Sequence, residues 1–254
     1  MISILKSLVK SVVYRRFDDQ IRFEILTSLG KWVFPNYRFK WFQMDWWHNQ
    51  KFNAYLRSFG EIKGFNTDRR WMLNQLLRIS REVPGDTAEC GVFLGSSSTV
   101  ICKSNASSSH PKTHYGFDSF EGLSEPTSHD GTYWKKGDLV AKFESCQKNL
   151  SSFDRVQLLK GWIPARFNEV SDKRFSFVHV DVDIYDPTKD SIEFFYPRLN
   201  NGAIFLCDDY GCTTCPGATG AIDEFLKDKI EKMISLPSGG GFFIKGIPTS
   251  ENLF

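Results

Sequence analysis

From about residue 65 onward, short apolar runs take turns with stretches of helical periodicity. This alternation constrains the fold more than any other feature of the chain. A strand, a crossover helix and another strand close on each other most readily as a parallel sheet with helices on its faces. The apolar runs fall at 87–93, 113–117, 156–159, 176–182 and 202–207, and helices are expected at 68–83, from the Gly/Ser turn after 93 through 103, and at 138–150, 188–195 and 218–229. Two last runs, 232–236 and 241–247, are separated by Pro-Ser-Gly-Gly and predict an antiparallel hairpin at one edge. The fold class is therefore α/β, a mostly parallel, Rossmann-like sheet of seven strands.

Composition enters by what it excludes. With 254 residues, 41% hydrophobic and 24% charged, the chain is neither disordered nor fibrous and suits one large domain with an appendage. A net charge of +2 argues against a dedicated nucleic-acid binder. The total hides a split: residues 1–63 hold 11 Lys/Arg against 5 Asp/Glu and 14 of the 38 aromatics, whereas the remainder is net acidic. Ile4, Leu5, Leu8 and Val12 share a helical face, with Lys6 and Lys10 elsewhere. Those lysines interrupt the apolar stretch that a signal peptide needs, and no run is long enough to span a membrane. Such a helix packs on its own domain or on a second subunit, with weak peripheral membrane association as the other reading. Of six cysteines, Cys90, Cys102 and Cys207 lie in apolar surroundings, and Cys212-x-x-Cys215 lacks the second pair of a zinc site. This usage fits a reducing, cytoplasmic setting. The sequons at Asn105 and Asn149 carry no weight without a secretion signal.

In an open parallel sheet, ligands bind beyond the carboxyl ends of the strands, so the residues just after each apolar run are the informative ones. After the first run, Glu89-Cys-Gly91-Val-Phe93-Leu-Gly95-Ser96 offers two glycines for a tight turn close to a ligand, but not the GxGxxG of dinucleotide sites. After the second, Asp118 is placed to accept ribose hydroxyls. Together they favour a nucleoside-containing cofactor. The fourth run ends His179-Val-Asp181-Val-Asp183 and the fifth ends Cys207-Asp208-Asp209-Tyr210. So many carboxylates at one rim require protonation or a bridging cation, and oxygen ligation suits Mg²⁺ or another hard divalent ion at Asp181, Asp208 and Asp209. In an extended segment Asp183 would share a face with Asp181, with His179 one step deeper as a buried, hydrogen-bonded residue.

The segments GDTAECGVFLGSSS, YGFDSFEGL, LLKGWIPARF, FVHVDVDIYDPTKDSIEFFYPRLNNGAIFLCDDYG and GATGAIDEF, in that order, resemble the macrocin O-methyltransferase (TylF-like) family of class I S-adenosylmethionine-dependent enzymes. The resemblance covers roughly residues 64–246. It implies that Glu89, Gly91 and Gly95, with Phe93 and Ser96 in the same turn, line the methionine part of S-adenosylmethionine. Asp118 and Ser119 would hold the ribose, and Gly161 and Trp162 would lie near the adenine. Asp181, Asp208 and Asp209 would bind Mg²⁺, and Asp183 would be the general base. It further implies a methyltransferase domain at 64–254, with 1–63 as a helical lid and dimer-contact segment. The family's Gly-Gly-Ser-like turn here reads Gly95-Ser-Ser.

Sulfonium methyl transfer is an in-line displacement that depends on positioning, and a divalent ion stabilises the alkoxide of a high-pKa hydroxyl. The expected acceptor is a sugar hydroxyl on a glycan, glycolipid or glycosylated metabolite. His129, Asp130, Tyr133 and Trp134 in the 121–137 loop, Tyr185 and Tyr210 at the rim, and Trp41, Trp46 and Trp47 near the N-terminus are candidates to meet it. The N-terminal tryptophans also suit a core or subunit contact. A catechol-type O-methyltransferase would favour Asp-Asn where this chain has Asp208-Asp209. A NAD-type oxidoreductase would need GxGxxG and a second nucleotide half. A non-catalytic partner protein would not need the intact carboxylate cluster.

Overall fold

The structure is a computed structural model that describes residues 6, 9, 19–36, 38, 44–64 and 66–250. Trp41 and most of the amphipathic stretch at 1–16 lie outside the described residues. Two compact units divide the chain, Met1–Asn53 and Ala54–Phe254. In the first, helix α1 (Asp19–Val33) exposes Leu26, Leu29, Trp32 and Val33. Trp46 packs edge-on against Trp47 and Phe52. Helix α2 (Gln50–Ser58) runs across the boundary in sequence and buries Tyr55 and Leu56 in the second unit.

The second unit continues with α3 (Thr67–Ser80), β1 (Asp86–Cys90), α4 (Ser96–Asn105), β2 (His114–Asp118), α5 (Phe143–Leu150) and β3 (Val156–Lys160). Then come β4 (Phe175–Val180), α6 (Tyr185–Phe195), β5 (Leu199–Cys207), α7 (Pro216–Leu226), β6 (Ile234–Ser235) and β7 (Gly241–Ile244). The seven strands lie in the order β3-β2-β1-β4-β5-β7-β6, parallel from β3 to β5, with β7 antiparallel to both β5 and β6. The expected edge hairpin is thus present. The order reverses direction between β1 and β4, which places a crevice at the carboxyl ends of those strands.

Burial explains why β4 reads as a continuous apolar run: all six of its residues are buried, as a central strand covered on both faces must be. Phe177 faces one layer with Leu73, Leu76 and Leu77 of α3 and Ile101 of α4. Phe175 and Val178 face the other, where Phe117, Phe167 and Phe195 meet edge-to-face at 5.0–6.0 Å. A register irregularity between Phe175 and Phe177 resets the alternation of sides. His179 follows Phe177 by two residues, so it points toward the α3 layer.

Two differences from the sequence expectation have a local cause that bears on the site. The helix before β3 starts at Phe143 rather than 138, because Leu139 takes a left-handed conformation (φ 63°) and Asp138 Oδ2 accepts from the Lys135 amide, closing a turn. The strand at 176–182 ends at Val180; the Asp181 amide still donates to the Cys90 carbonyl of β1, but Asp183 turns to a left-handed conformation (φ 62°).

Candidate active site

The turn after β1 is held by glycine chemistry. Gly91 has φ 84°, and a Cβ there would sit 1.8 Å from the carbonyl oxygen of Asp181. Only glycine lets the ends of β1 and β4 approach so closely. Asp118, at the end of β2, ties the same turn down: its Oδ2 accepts from the amides of Val92 and Phe93, both at 2.8 Å, and its Oδ1 from Phe120 at 2.7 Å. Ser119 accepts from the Glu121 amide and donates to the Gly122 carbonyl. At the start of α4, Ser96 is buried with both its hydroxyl and its carbonyl bonded to the Tyr55 hydroxyl. Phe93 (φ 52°) and Trp162 stay accessible, the latter just after β3 beside Gly161.

Glu89 lies deeper than the rim. It is fully buried, with one oxygen accepting from Ser98 Oγ and the other from His179 Nδ1 at 2.7 Å. Burial alone would raise its pKa, but the His114 and His179 rings hold the carboxyl well below its usual range. His179 is also fully buried, yet its Nε2 has no hydrogen-bond partner. The expectation of a fully hydrogen-bonded histidine therefore holds for one nitrogen only. Nε2 lies 3.6 Å from Asp208 Oδ1, an ion contact too long for a hydrogen bond.

The rim carboxylates sort into two groups. His179, Asp181 and Asp208 bring ligand atoms within 4.8 Å of one another, as do Asp183, Asp209 and Cys215. Asp208 follows β5 directly, and its amide continues the β4 ladder by donating to the Val180 carbonyl. Asp183 has φ 62°, so strand alternation does not position it; its amide instead donates to Asp209 Oδ2 at 2.8 Å. Cys215 Sγ lies 3.7 Å from Asp183 Oδ1 and 3.8 Å from Asp209 Oδ1, and it accepts from Trp134 Nε1 at 3.2 Å. Trp134 and Cys215 thus cap the Asp183 side. Asp130 accepts from the amide that starts α6, at Tyr185, and His129 stacks on the Tyr185 ring with centroids 4.2 Å apart. Tyr133 is exposed, and Tyr210 donates to Asp223.

Two cations of the chain stand at this rim that the sequence reading did not single out. Arg69 donates to Asp208 Oδ2 at 2.7 Å and to Cys212 Sγ at 3.2 Å. Arg70, almost fully buried, donates to both oxygens of Glu61. The signal was available in principle: a rim crowded with carboxylates calls for positive charge, and two adjacent arginines open the helix that packs behind β4 and β5.

These charges divide the carboxylates. Burial would raise Asp208, but the His179, Arg69 and Arg70 charges win and hold it well below its usual range. Burial, then the Asp208 charge, pushes Asp181 up to about 7, and burial pushes Asp183 up to about 6. Asp209, buried against Asp183, Asp181 and Asp208, is raised well above its ordinary value. Burial would lower His179, but Asp208 and Glu89 on either side push it up to about 10. The Asp181, Asp183 and Asp209 set is therefore electrostatically short of positive charge, the condition that a divalent cation relieves. An orphaned buried imidazole nitrogen beside two carboxylates fits the same requirement.

Comparisons with known proteins bear on the family and the fold. The chain is 28% identical over 148 residues to 8-demethyl-8-(2,3-dimethoxy-alpha-L-rhamnosyl)-tetracenomycin-C 4'-O-methyltransferase of Streptomyces olivaceus, covering 54% of this chain and 57% of that protein, so the match spans little more than half the length of either. It is 24% identical over 180 residues to demethyldecarbamoylnovobiocin O-methyltransferase of Streptomyces niveus, covering 65% and 68%. Its fold matches the crystal structure of a calicheamicin methyltransferase with a TM-score of 0.63 at 20% identity, over 78% of this chain and 91% of that one. The model of the macrocin-O-methyltransferase (TylF) family matches residues 69–238, from Arg69 at the rim to the β6–β7 turn. With the seven-stranded sheet and the carboxylate rim in place, that match settles the family: the chain belongs to the macrocin-O-methyltransferase (TylF) family.

Proposed function

We propose that the protein is an O-methyltransferase that uses S-adenosylmethionine and a hard divalent cation, Mg²⁺ or Mn²⁺, to methylate a hydroxyl of a sugar. The observation that carries the reading is the set of buried carboxylates at the ends of β4 and β5, facing the Gly91 turn on this family's frame. The sugar acceptor is supported by relatives named for rhamnosyl-tetracenomycin and for mycinamicin III, the latter a 3''-O-methyltransferase of Micromonospora griseorubida.

When bound, the cofactor supplies a sulfonium methyl group, and the cation supplies Lewis acidity that favours the alkoxide form of the acceptor. The chain's own residues do the positioning. Gly91, Phe93, Gly95 and Ser96 carry the turn beside the methionine part, with Glu89 beneath it. Asp118 has about four lone-pair sites and spends three on backbone amides, which leaves room for a ribose hydroxyl. Ser119 flanks it, and Gly161 and Trp162 border the adenine. Asp181, Asp208 and Asp209 hold the cation, and Asp183 takes the acceptor proton as general base. Cys215, packed on Asp183 and Asp209 and itself bonded by Trp134, helps to keep that carboxylate pair out of bulk water.

We assign residues 1–63 to a lid and dimer contact. Exposed Leu26, Leu29, Trp32 and Val33 on α1 and the basic surplus support an interacting surface there. Six free thiols support a reducing, cytoplasmic setting. No described helix is long and apolar enough to cross a membrane.

The test is transfer of a labelled methyl group from S-adenosylmethionine to a panel of sugar nucleotides and glycosides, with and without Mg²⁺. Asp181→Asn should abolish turnover while S-adenosylhomocysteine still binds. Turnover that survives exhaustive EDTA treatment would remove the metal from the mechanism.

A further inference from the structure

The carboxylates at the rim are not the whole donor set. His179 sits on β4 opposite Glu89 of β1, in direct register. Its Nδ1 is engaged by Glu89 Oε1 at 2.7 Å, which fixes the ring plane and leaves Nε2 as the outward nitrogen. That nitrogen is buried, has no hydrogen-bond partner and lies 3.6 Å from Asp208 Oδ1, with Asp181 in the same close group. Arg69 occupies the other oxygen of Asp208, Oδ2, so Oδ1 is the oxygen left facing the imidazole. A buried imidazole that gives one ring nitrogen to a carboxylate and turns the other toward an acidic pair has the build of a metal-ligating histidine with its orienting partner.

We infer that His179 Nε2 is a further, nitrogen ligand of the divalent cation, added to the proposed carboxylate ligands on the side of Asp181 and Asp208 Oδ1, and that Glu89 is its positioning residue. The inference rests on the reading of the rim as a cation site and deepens it. The donor set is then mixed nitrogen and oxygen. An imidazole in the set favours first-row transition ions over Mg²⁺, which prefers oxygen and keeps its waters. Mn²⁺ should therefore bind more tightly than Mg²⁺, and the preference should shrink in His179→Gln. Farther along the same buried chain, His114 joins Ser98 and Thr87, so Glu89 is held from both sides and the imidazole has little freedom to turn away.

The direct test is pulsed electron paramagnetic resonance of the full-length protein with Mn²⁺ alone. The expected result is modulation from a directly bound imidazole ¹⁴N, replaced by the ¹⁵N pattern when the protein is made with ¹⁵N-histidine. This needs no variant, so a folding failure cannot obscure it. In His179→Gln the nitrogen signal should vanish, and in His129→Gln it should persist. Mn²⁺ bound with oxygen and water couplings alone would overturn the role of His179 and leave the metal site standing. No Mn²⁺ binding at millimolar concentration would overturn both, while titration with S-adenosylhomocysteine would still judge the cofactor half of the proposed function separately.

Discussion

At the scale of single residues, the rim is a contest between burial and charge, and the outcome is readable in titration. Asp181 holds its proton up to about 7, and a cation must displace it. Mn²⁺ affinity should therefore fall as the pH drops from about 8 to about 6; an affinity flat across that window would contradict the assignment of Asp181 as a ligand. Lys112 offers a test far from the site. Its Nζ is surrounded by the neutral oxygens of Val83, Gly85 and Ser176, and burial pulls its pKa from 10.5 down to about 8. Between those values the unfolded chain binds more protons than the folded one, so stability contributed at Lys112 rises with pH across that window. Lys112→Met should flatten this rise in denaturant titrations. It should also destabilise the fold by about 1–3 kcal/mol at neutral pH, because buried carbonyls lose their donor. A variant with the same pH slope as the parent would contradict the account. The aspartates at the rim were legible in the sequence because they directly follow apolar runs. Arg69 was not, since it stands 139 residues from the Asp208 that it meets. Asp183 was legible as a candidate, but its direction was not, because the chain leaves the strand at Val180.

At the scale of elements, the alternation of short apolar runs with helical stretches was enough to read out the parallel sheet and its edge hairpin. The reading failed where local chemistry competed with periodicity. Asp138 and a left-handed Leu139 delay the helix before β3, and nothing in a 3.6-residue pattern announces that. The turn after β1 is the element on which the site depends most. Gly91→Ala places a methyl group on the Asp181 carbonyl and forces a non-glycine residue into positive φ, a strain of about 1–3 kcal/mol before the clash is counted. We expect its melting temperature to fall by several degrees and its cation binding to be lost together, because β1 and β4 must separate. Retained stability with retained Mn²⁺ affinity would show that the turn does not set the rim. Phe195, fully buried among Phe117, Phe167 and Phe175, is the corresponding position for stability alone. Phe195→Ala should cost about 3–5 kcal/mol without a specific effect on cofactor affinity.

At the scale of the whole molecule, the acidic majority of the chain concentrates part of its charge at one end of the sheet, where Arg69 is hydrogen-bonded to Asp208, while Asp181, Asp183 and Asp209 are nevertheless pushed up in pKa. Binding of a cation should consequently stabilise the folded protein. At about 100 times the dissociation constant the gain is about 2.7 kcal/mol, or about 5–10 °C in melting temperature for a domain of this size. EDTA should reverse it, and a melting curve indifferent to Mn²⁺ and Mg²⁺ would argue against the metal. The central claim, however, is that the carboxyl ends of β1, β2 and β3, around the Gly91 turn, hold an S-adenosyl cofactor. Calorimetric titration with S-adenosylhomocysteine tests it most directly. Saturable one-site binding in the micromolar range, weakened in Asp118→Ala, is the predicted result; no heat and no melting shift at millimolar ligand would contradict it.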